Sequence, residues 1–150
     1  MTTDVRSLYQ EIILDHNKNP RNFRAMEDAT HVVDGYNPLC GDHYTVYLRL
    51  KGNTIEDISF TGSGCAISKA SASVMTAMTK GKSTAEASVL FTTFHDLVTG
   101  VVDPSRRTEE LGRLAAFAGV SEFPARVKCA SLAWHTMKGA LESKTSVSTE

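Results

Sequence analysis

Tyr44-Thr45-Val46-Tyr47-Leu48-Arg49-Leu50-Lys51-Gly52-Asn53-Thr54-Ile55-Glu56-Asp57-Ile58-Ser59-Phe60-Thr61-Gly62 is the stretch from which the architecture is read. Tyr44, Val46, Leu48 and Leu50 alternate with Thr45, Tyr47, Arg49 and Lys51, the period-two pattern of a strand with one buried face. Gly52-Asn53 supplies a tight turn, and Ile55, Ile58 and Phe60 carry a second strand up to Thr61-Gly62. The pattern predicts an antiparallel hairpin with one face covered.

What covers it is read from the flanks. Residues 4–17 have helical spacing at Leu8, Ile12 and Asp15/His16, with Asp4 as N-cap and Asn19-Pro20 as the stop. A polar loop, Asn17 to Phe23, follows; Phe23 and Met26 read as core anchors or as an exposed apolar patch. Residues 29–35 form a short first strand. Everything after residue 65 reads as helical. Residues 65–79 are rich in Ala and Ser, which permits close packing on the sheet. Ser83 caps a helix to about residue 98, ended by Gly100. Residues 107–118 make a shorter helix closed by Gly119. Pro124 sits at a first-turn position and opens a last helix with Cys129, Ala133, Met137 and Leu141 on one stripe. The tail 143–150 is polar and expected to fray. With no repeat and no linker, the expectation is a single α+β domain over residues 1–150, a small antiparallel sheet packed against several helices.

Composition narrows the function. The chain has 150 residues, 41% of them hydrophobic, which suits a packed core and excludes a disordered or low-complexity chain. Sixteen Lys and Arg against seventeen Asp and Glu leave no basic excess, so no nucleic-acid partner is expected. The longest apolar runs, such as Ile12-Ile13-Leu14, are too short to cross a bilayer, and no secretory signal is visible at the N-terminus. A soluble, cytoplasmic protein with no membrane partner is expected.

Cys40, Cys65 and Cys129 are an odd number of cysteines with no CxxC pair among them. That argues against a disulfide framework, a zinc ribbon and a thioredoxin-like motif, and leaves buried free thiols or metal ligands. Their settings favour ligands. Cys40 lies in the turn Asn37-Pro38-Leu39-Cys40-Gly41-Asp42, and in an extended chain Asp42 points to the same side, so thiolate and carboxylate can share one cation. Cys65 follows Gly62-Ser63-Gly64 at the start of a helix, where the partial positive charge favours thiolate. Cys129 has Arg126 one helical turn before it, able to offset the charge of three thiolates and a carboxylate or to compete for Asp42. Cys40, Asp42, Cys65 and Cys129 together suit zinc, and thiolates equally suit iron–sulfur chemistry; donor softness alone does not choose.

The histidines carry less. His43 adjoins Asp42 but points to the opposite face of a strand, which makes it a second-choice ligand. His16, His31, His95 and His135 have no paired spacing and read as surface or core residues, and Trp134, Met75 and Met78 read as core. No GxSxG elbow surrounds Ser68, Ser71 or Ser73, and Gly62-Ser63-Gly64 is a weak phosphate cradle.

Four segments resemble the U-type iron–sulfur cluster assembly family, comprising IscU, the NifU N-terminal domain and SufU. They are Leu8 to His16 with Asn19-Pro20-Arg21-Asn22; Asn37 to Asp42; Gly62-Ser63-Gly64-Cys65-Ala66-Ile67-Ser68-Lys69-Ala70-Ser71-Ala72-Ser73; and Arg126-Val127-Lys128-Cys129-Ala130-Ser131-Leu132-Ala133-Trp134. The resemblance covers roughly residues 5–142. IscU-type members carry a His immediately before the third cysteine, where this chain has Lys128, and they lack an extra segment placed here within residues 85–112. Both departures resemble SufU. That branch implies a SufU/IscU-like fold, a zinc ion on Cys40, Asp42, Cys65 and Cys129, and a role as sulfur acceptor for a SufS-type cysteine desulfurase that feeds downstream cluster-assembly proteins. It makes the chain a second substrate of the desulfurase more than a self-sufficient enzyme. Cys40 is then expected to leave the metal and take up sulfur, Arg126 to steady the vacated site by pairing with Asp42, and the extra segment to dock or cover. The alternative is a scaffold that builds a [2Fe–2S] cluster on the same residues, or binds iron there; a purely structural zinc is a third reading.

Overall fold

The computed structural model describes residues 5–38, 41–100, 114, 117, 120, 123–142 and 146–148. The hairpin expected between Tyr44 and Gly62 is its centre. Strands β2 (Asp42–Lys51) and β3 (Thr54–Ser63) pair antiparallel in the register Tyr44↔Gly62, Val46↔Phe60 and Leu48↔Ile58, with a bulge between Arg49 and Leu50. β1 (His31–Asn37) joins the other side of β2, antiparallel, with Asn37 opposite Asp42. Tyr44, Val46, Leu48, Ile55, Ile58 and Phe60 point into the core, as the alternation requires, while His43 and Asp34 face outward.

Two features manage the sheet edges. Arg24 donates its backbone N–H to the Phe60 carbonyl (3.0 Å) and Phe60 donates to the Asn22 carbonyl (3.0 Å), so the chain around Phe23 runs beside β3 and covers its free edge. Phe23 packs edge-on against Phe60 with ring centres 5.1 Å apart, and Met26 is buried. On the other edge, Ser146–Ser148 forms β4, parallel to β1, giving the order β3-β2-β1-β4. This corrects the expectation of a frayed tail at these three residues: the open edge of β1 supplies backbone partners that a local reading of Ser-Val-Ser cannot reveal.

Helices α1 (Val5–Lys18), α2 (Ala66–Thr79), α3 (Thr84–Val98) and α4 (Pro124–Leu141) complete the α+β architecture. α2 is buried along nearly its whole length because its side chains are small, and its hydroxyls are paired: Ser73 Oγ meets His16 Nδ1 (2.6 Å) and the Arg21 N–H (2.8 Å), and Ser71 Oγ donates to the Ala130 carbonyl of α4. α3 opens on a capping box in which Ser83 and Glu86 exchange hydrogen bonds. α4 starts with Pro124 in its first turn and buries Ala133, Trp134 and Met137. Trp134 stacks on Phe94 of α3 at 4.7 Å, and Phe94 meets Phe117 at 5.6 Å. Leu114, Phe117 and Val120 are buried; the rest of the helix expected at 107–118, and the Asp4 cap, lie outside the described residues. No described helix is long and apolar enough to cross a membrane.

Candidate metal centre

Asp42 opens β2 on its core-facing side and is 1% exposed. His43, one residue on, points outward and lies 3.7 Å from Asp34, as strand alternation requires. Across the pair, Gly62 has φ +134° and lies so close to β2 that a side chain there would strike the His43 carbonyl. Gly64 is tighter in another way. A Cβ on it would stand 2.6 Å from each of Asp42 Oδ1, Ser68 Oγ and Tyr44 Oη, so three side-chain oxygens converge on a position that only glycine leaves open.

Cys65 is the N-cap of α2, with extended backbone and its sulfur accepting the Ser68 N–H at 3.4 Å. Its own N–H donates to Asp42 Oδ1 (2.9 Å), and its sulfur lies 3.9 Å from Asp42 Oδ2. The exposed thiol therefore sits at a helix N-terminus, beside a buried carboxylate anchored by the same residue's backbone. Cys129 comes from the second turn of α4 and is 5% exposed. The α2–α4 contact that includes Ser71 and Ala130 carries it to the same place. Donor atoms of Asp42, Cys65 and Cys129 all lie within 4.8 Å of one another. Two sulfurs on one tetrahedral zinc are about 3.8 Å apart, so the donor set fits a shared cation in both chemistry and spacing.

The remaining site expectations divide. Cys40 lies outside the described residues; the residues flanking its turn are fixed by the Asn37–Asp42 pairing and by a Gly41 N–H bond to the Asn37 carbonyl (2.9 Å). Arg126 is exposed, its guanidinium lies over the Phe123 ring at 4.8 Å, and among the described residues it makes no ion pair with Asp42. No histidine joins the described cluster. His16 is buried against Ser73, whereas His95 and His135 meet at 5.9 Å beside Phe91.

Sequence reasoning missed the floor of the site. The Tyr44 hydroxyl is 2.9 Å from Ser68 Oγ, which in turn reaches the Cys65 carbonyl (3.0 Å) and sulfur (3.6 Å). Burial pushes the Tyr44 phenol well above its ordinary range; the Ser68 hydrogen bond opposes that, and the neighbouring Asp42, Cys65 and Cys129 reinforce it. The available signal was a tyrosine on the core face two residues after Asp42, since a buried phenol needs a partner.

Residues 8–130 match the model of the NifU-like N-terminal domain. The chain is 44% identical to the zinc-dependent sulfurtransferase SufU of Bacillus subtilis over 133 residues, 88% of each chain. It is 40% identical to the iron–sulfur cluster assembly scaffold protein IscU of Streptococcus pyogenes, covering 90% of this chain and 83% of that one. Among solved structures it is similar to a candidate iron–sulfur cluster assembly scaffold protein for the SUF system from Fervidobacterium islandicum, with a TM-score of 0.81, 36% identity, and coverage of 89% of this chain and 96% of that one. Fold, cysteine settings and these likenesses agree: the chain belongs to the NifU-like N-terminal domain family, the U-type iron–sulfur cluster assembly proteins, on its SufU branch.

Proposed function

We propose that this protein is a zinc-dependent sulfur acceptor in the cytoplasm, taking sulfur from a SufS-type cysteine desulfurase through Cys40 and passing it towards cluster assembly. The observation that carries this reading is the convergence of Asp42, Cys65 and Cys129 within 4.8 Å, at the end of the sheet where Asn37 pairs with Asp42. Asp42, Cys65 and Cys129 would hold the ion with Cys40 as fourth ligand. Bound zinc would keep the thiols ionised at neutral pH.

Cys40 does the transfer. Its thiolate attacks the outer sulfur of the desulfurase persulfide, the sulfur–sulfur bond of the donor breaks, and the desulfurase cysteine leaves as a thiolate. Cys40 becomes a persulfide with no net oxidation or reduction. Asp42 and Cys65 stay linked throughout by the Cys65 N–H. Arg126, three residues before Cys129 on α4, would swing from Phe123 to pair with Asp42 once Cys40 is engaged. Exposure of Cys65 at the helix end leaves the site open to a docking partner.

The test is desulfurase turnover with Cys40→Ala added in place of the unaltered protein. Loss of stimulation with zinc retained by the other three ligands supports the reading, and full stimulation by Cys40→Ala contradicts it. The second reading, a scaffold that assembles [2Fe–2S] on the same residues, is favoured by the likeness to proteins named as scaffolds. Iron with matching acid-labile sulfide on the purified chain would select it.

A further inference from the structure

We propose that Tyr44 and Ser68 are positioning residues that deliver one directed hydrogen-bond relay from the core to Cys65, holding its sulfur in the geometry of a metal ligand. The inference rests on Cys65 being a ligand, as proposed above. Tyr44 is wholly buried, and its hydroxyl touches Ser68 Oγ at 2.9 Å. A phenol hydroxyl can donate one hydrogen bond as well as accept.

The direction of the relay follows from counting protons. Cys65 as a ligand is a thiolate and has none to give, and its carbonyl can only accept. Ser68 has one hydroxyl proton and two neighbours on the Cys65 side, the carbonyl at 3.0 Å and the sulfur at 3.6 Å. If Tyr44 donates to Ser68 Oγ, the Ser68 proton is left for Cys65. The Ser68 backbone N–H adds a second donor to the same sulfur at 3.4 Å. Cys65 is thereby held from three sides: its N–H by Asp42, its sulfur by the Ser68 amide, and its carbonyl or sulfur by the single Ser68 hydroxyl proton.

The construction is specific to this position. The relay passes through the space that the missing Gly64 side chain leaves, 2.6 Å from each of the three oxygens. Ser68 is 1% exposed, so water does not replace it. Hydrogen bonds to a ligating thiolate lower the electron density it gives the metal and fix its rotamer, and loss of such partners costs about ten- to a hundredfold in metal affinity.

The test uses the full chain, unaltered and as Tyr44→Phe, Ser68→Ala and the double variant. Tyr44→Phe keeps the ring that packs on Phe60. Three readouts are taken: zinc retention against a chromophoric chelator, the sulfur-to-cobalt charge-transfer band of the Co²⁺-loaded protein, and the thermal midpoint of the metal-free protein. The relay predicts about tenfold weaker zinc retention and a shifted band in Tyr44→Phe, with the double variant no worse than Ser68→Ala, because Tyr44 acts only through Ser68. An unchanged band and unchanged retention in Tyr44→Phe, when the unaltered chain shows the band, overturns the relay alone. Weaker retention with an unshifted band and a lowered metal-free midpoint also overturns it, as a general packing effect. Absence of the charge-transfer band in the unaltered chain overturns the metal reading, and the relay with it.

Discussion

α2 and α4 are packed by opposite chemistries on their outer sides. Where α2 meets α1 and the following loop, the contacts are polar: His16 with Ser73, Asn22 Nδ2 with Thr76 Oγ1 at 3.1 Å, and Asn17 Nδ2 bridging the Ile13 and Ala66 carbonyls at 2.9 and 2.7 Å. Where α4 meets α3, the contacts are aromatic, with Phe94 between Trp134 and Phe117. Aromatic burial is strong and tolerant of small shifts, whereas hydrogen bonds fix distance and angle. The polar seam runs to Ala66, the residue after Cys65. Directional contacts run along α2, which starts right after a candidate ligand, and bulk stabilisation is supplied between α3 and α4.

The contrast can be broken most forcefully on the aromatic side. Trp134→Ala should cost about 3–5 kcal/mol in denaturant unfolding, through lost burial and the cavity left against Phe94. It should leave the metal affinity of the folded fraction nearly unchanged. Gly64→Ala should do the reverse. Its methyl group intrudes on Asp42, Ser68 and Tyr44, so we expect stability to fall by about 1–3 kcal/mol and metal affinity to fall by more than that loss explains, read by chelator competition alongside unfolding. Ser83→Ala removes the cap of α3, which takes no part in the polar seam, and should cost about 1 kcal/mol of stability with no change in metal content.

The smallest effect concerns pH. His135 packs beside His95 and Phe91, and burial, followed by the neighbouring His95, holds its imidazolium below the ordinary histidine value. The folded state thus binds that proton less readily than the unfolded chain. Its contribution is present above the unfolded value of about 6.5 and is lost as pH falls through the lower folded value. Unfolding midpoints at pH 7.5 and 5.5 should differ less in His135→Asn than in the unaltered protein. An equal or larger difference in the variant would remove His135 from the account.

Much of this arrangement was legible from local pattern. The alternation through Tyr44 to Leu50 set the buried face of β2, and the glycines before Cys65 marked the strand-to-helix junction that places its sulfur at a helix terminus. What escaped depends on partners distant in sequence. His16 reads as an ordinary amphipathic-helix residue until Ser73 arrives against it, and β4 has strand character only because β1 offers an edge. The approach of Cys129 to Cys65 is a product of α2–α4 packing, which no spacing rule encodes. Tyr44 looked like one more apolar position, because alternation reports that a side chain is buried and says nothing of what its hydroxyl touches.

The central claim is that Asp42, Cys65 and Cys129, together with Cys40, form a zinc site. It is tested most directly by elemental analysis and visible absorbance of protein purified without oxygen or added metal, for the unaltered chain and for Cys129→Ser. The account predicts about one zinc per chain with no visible absorbance, largely lost in Cys129→Ser. Iron with matching sulfide would contradict the zinc assignment, and zinc retained in full by Cys129→Ser would contradict the ligand set itself.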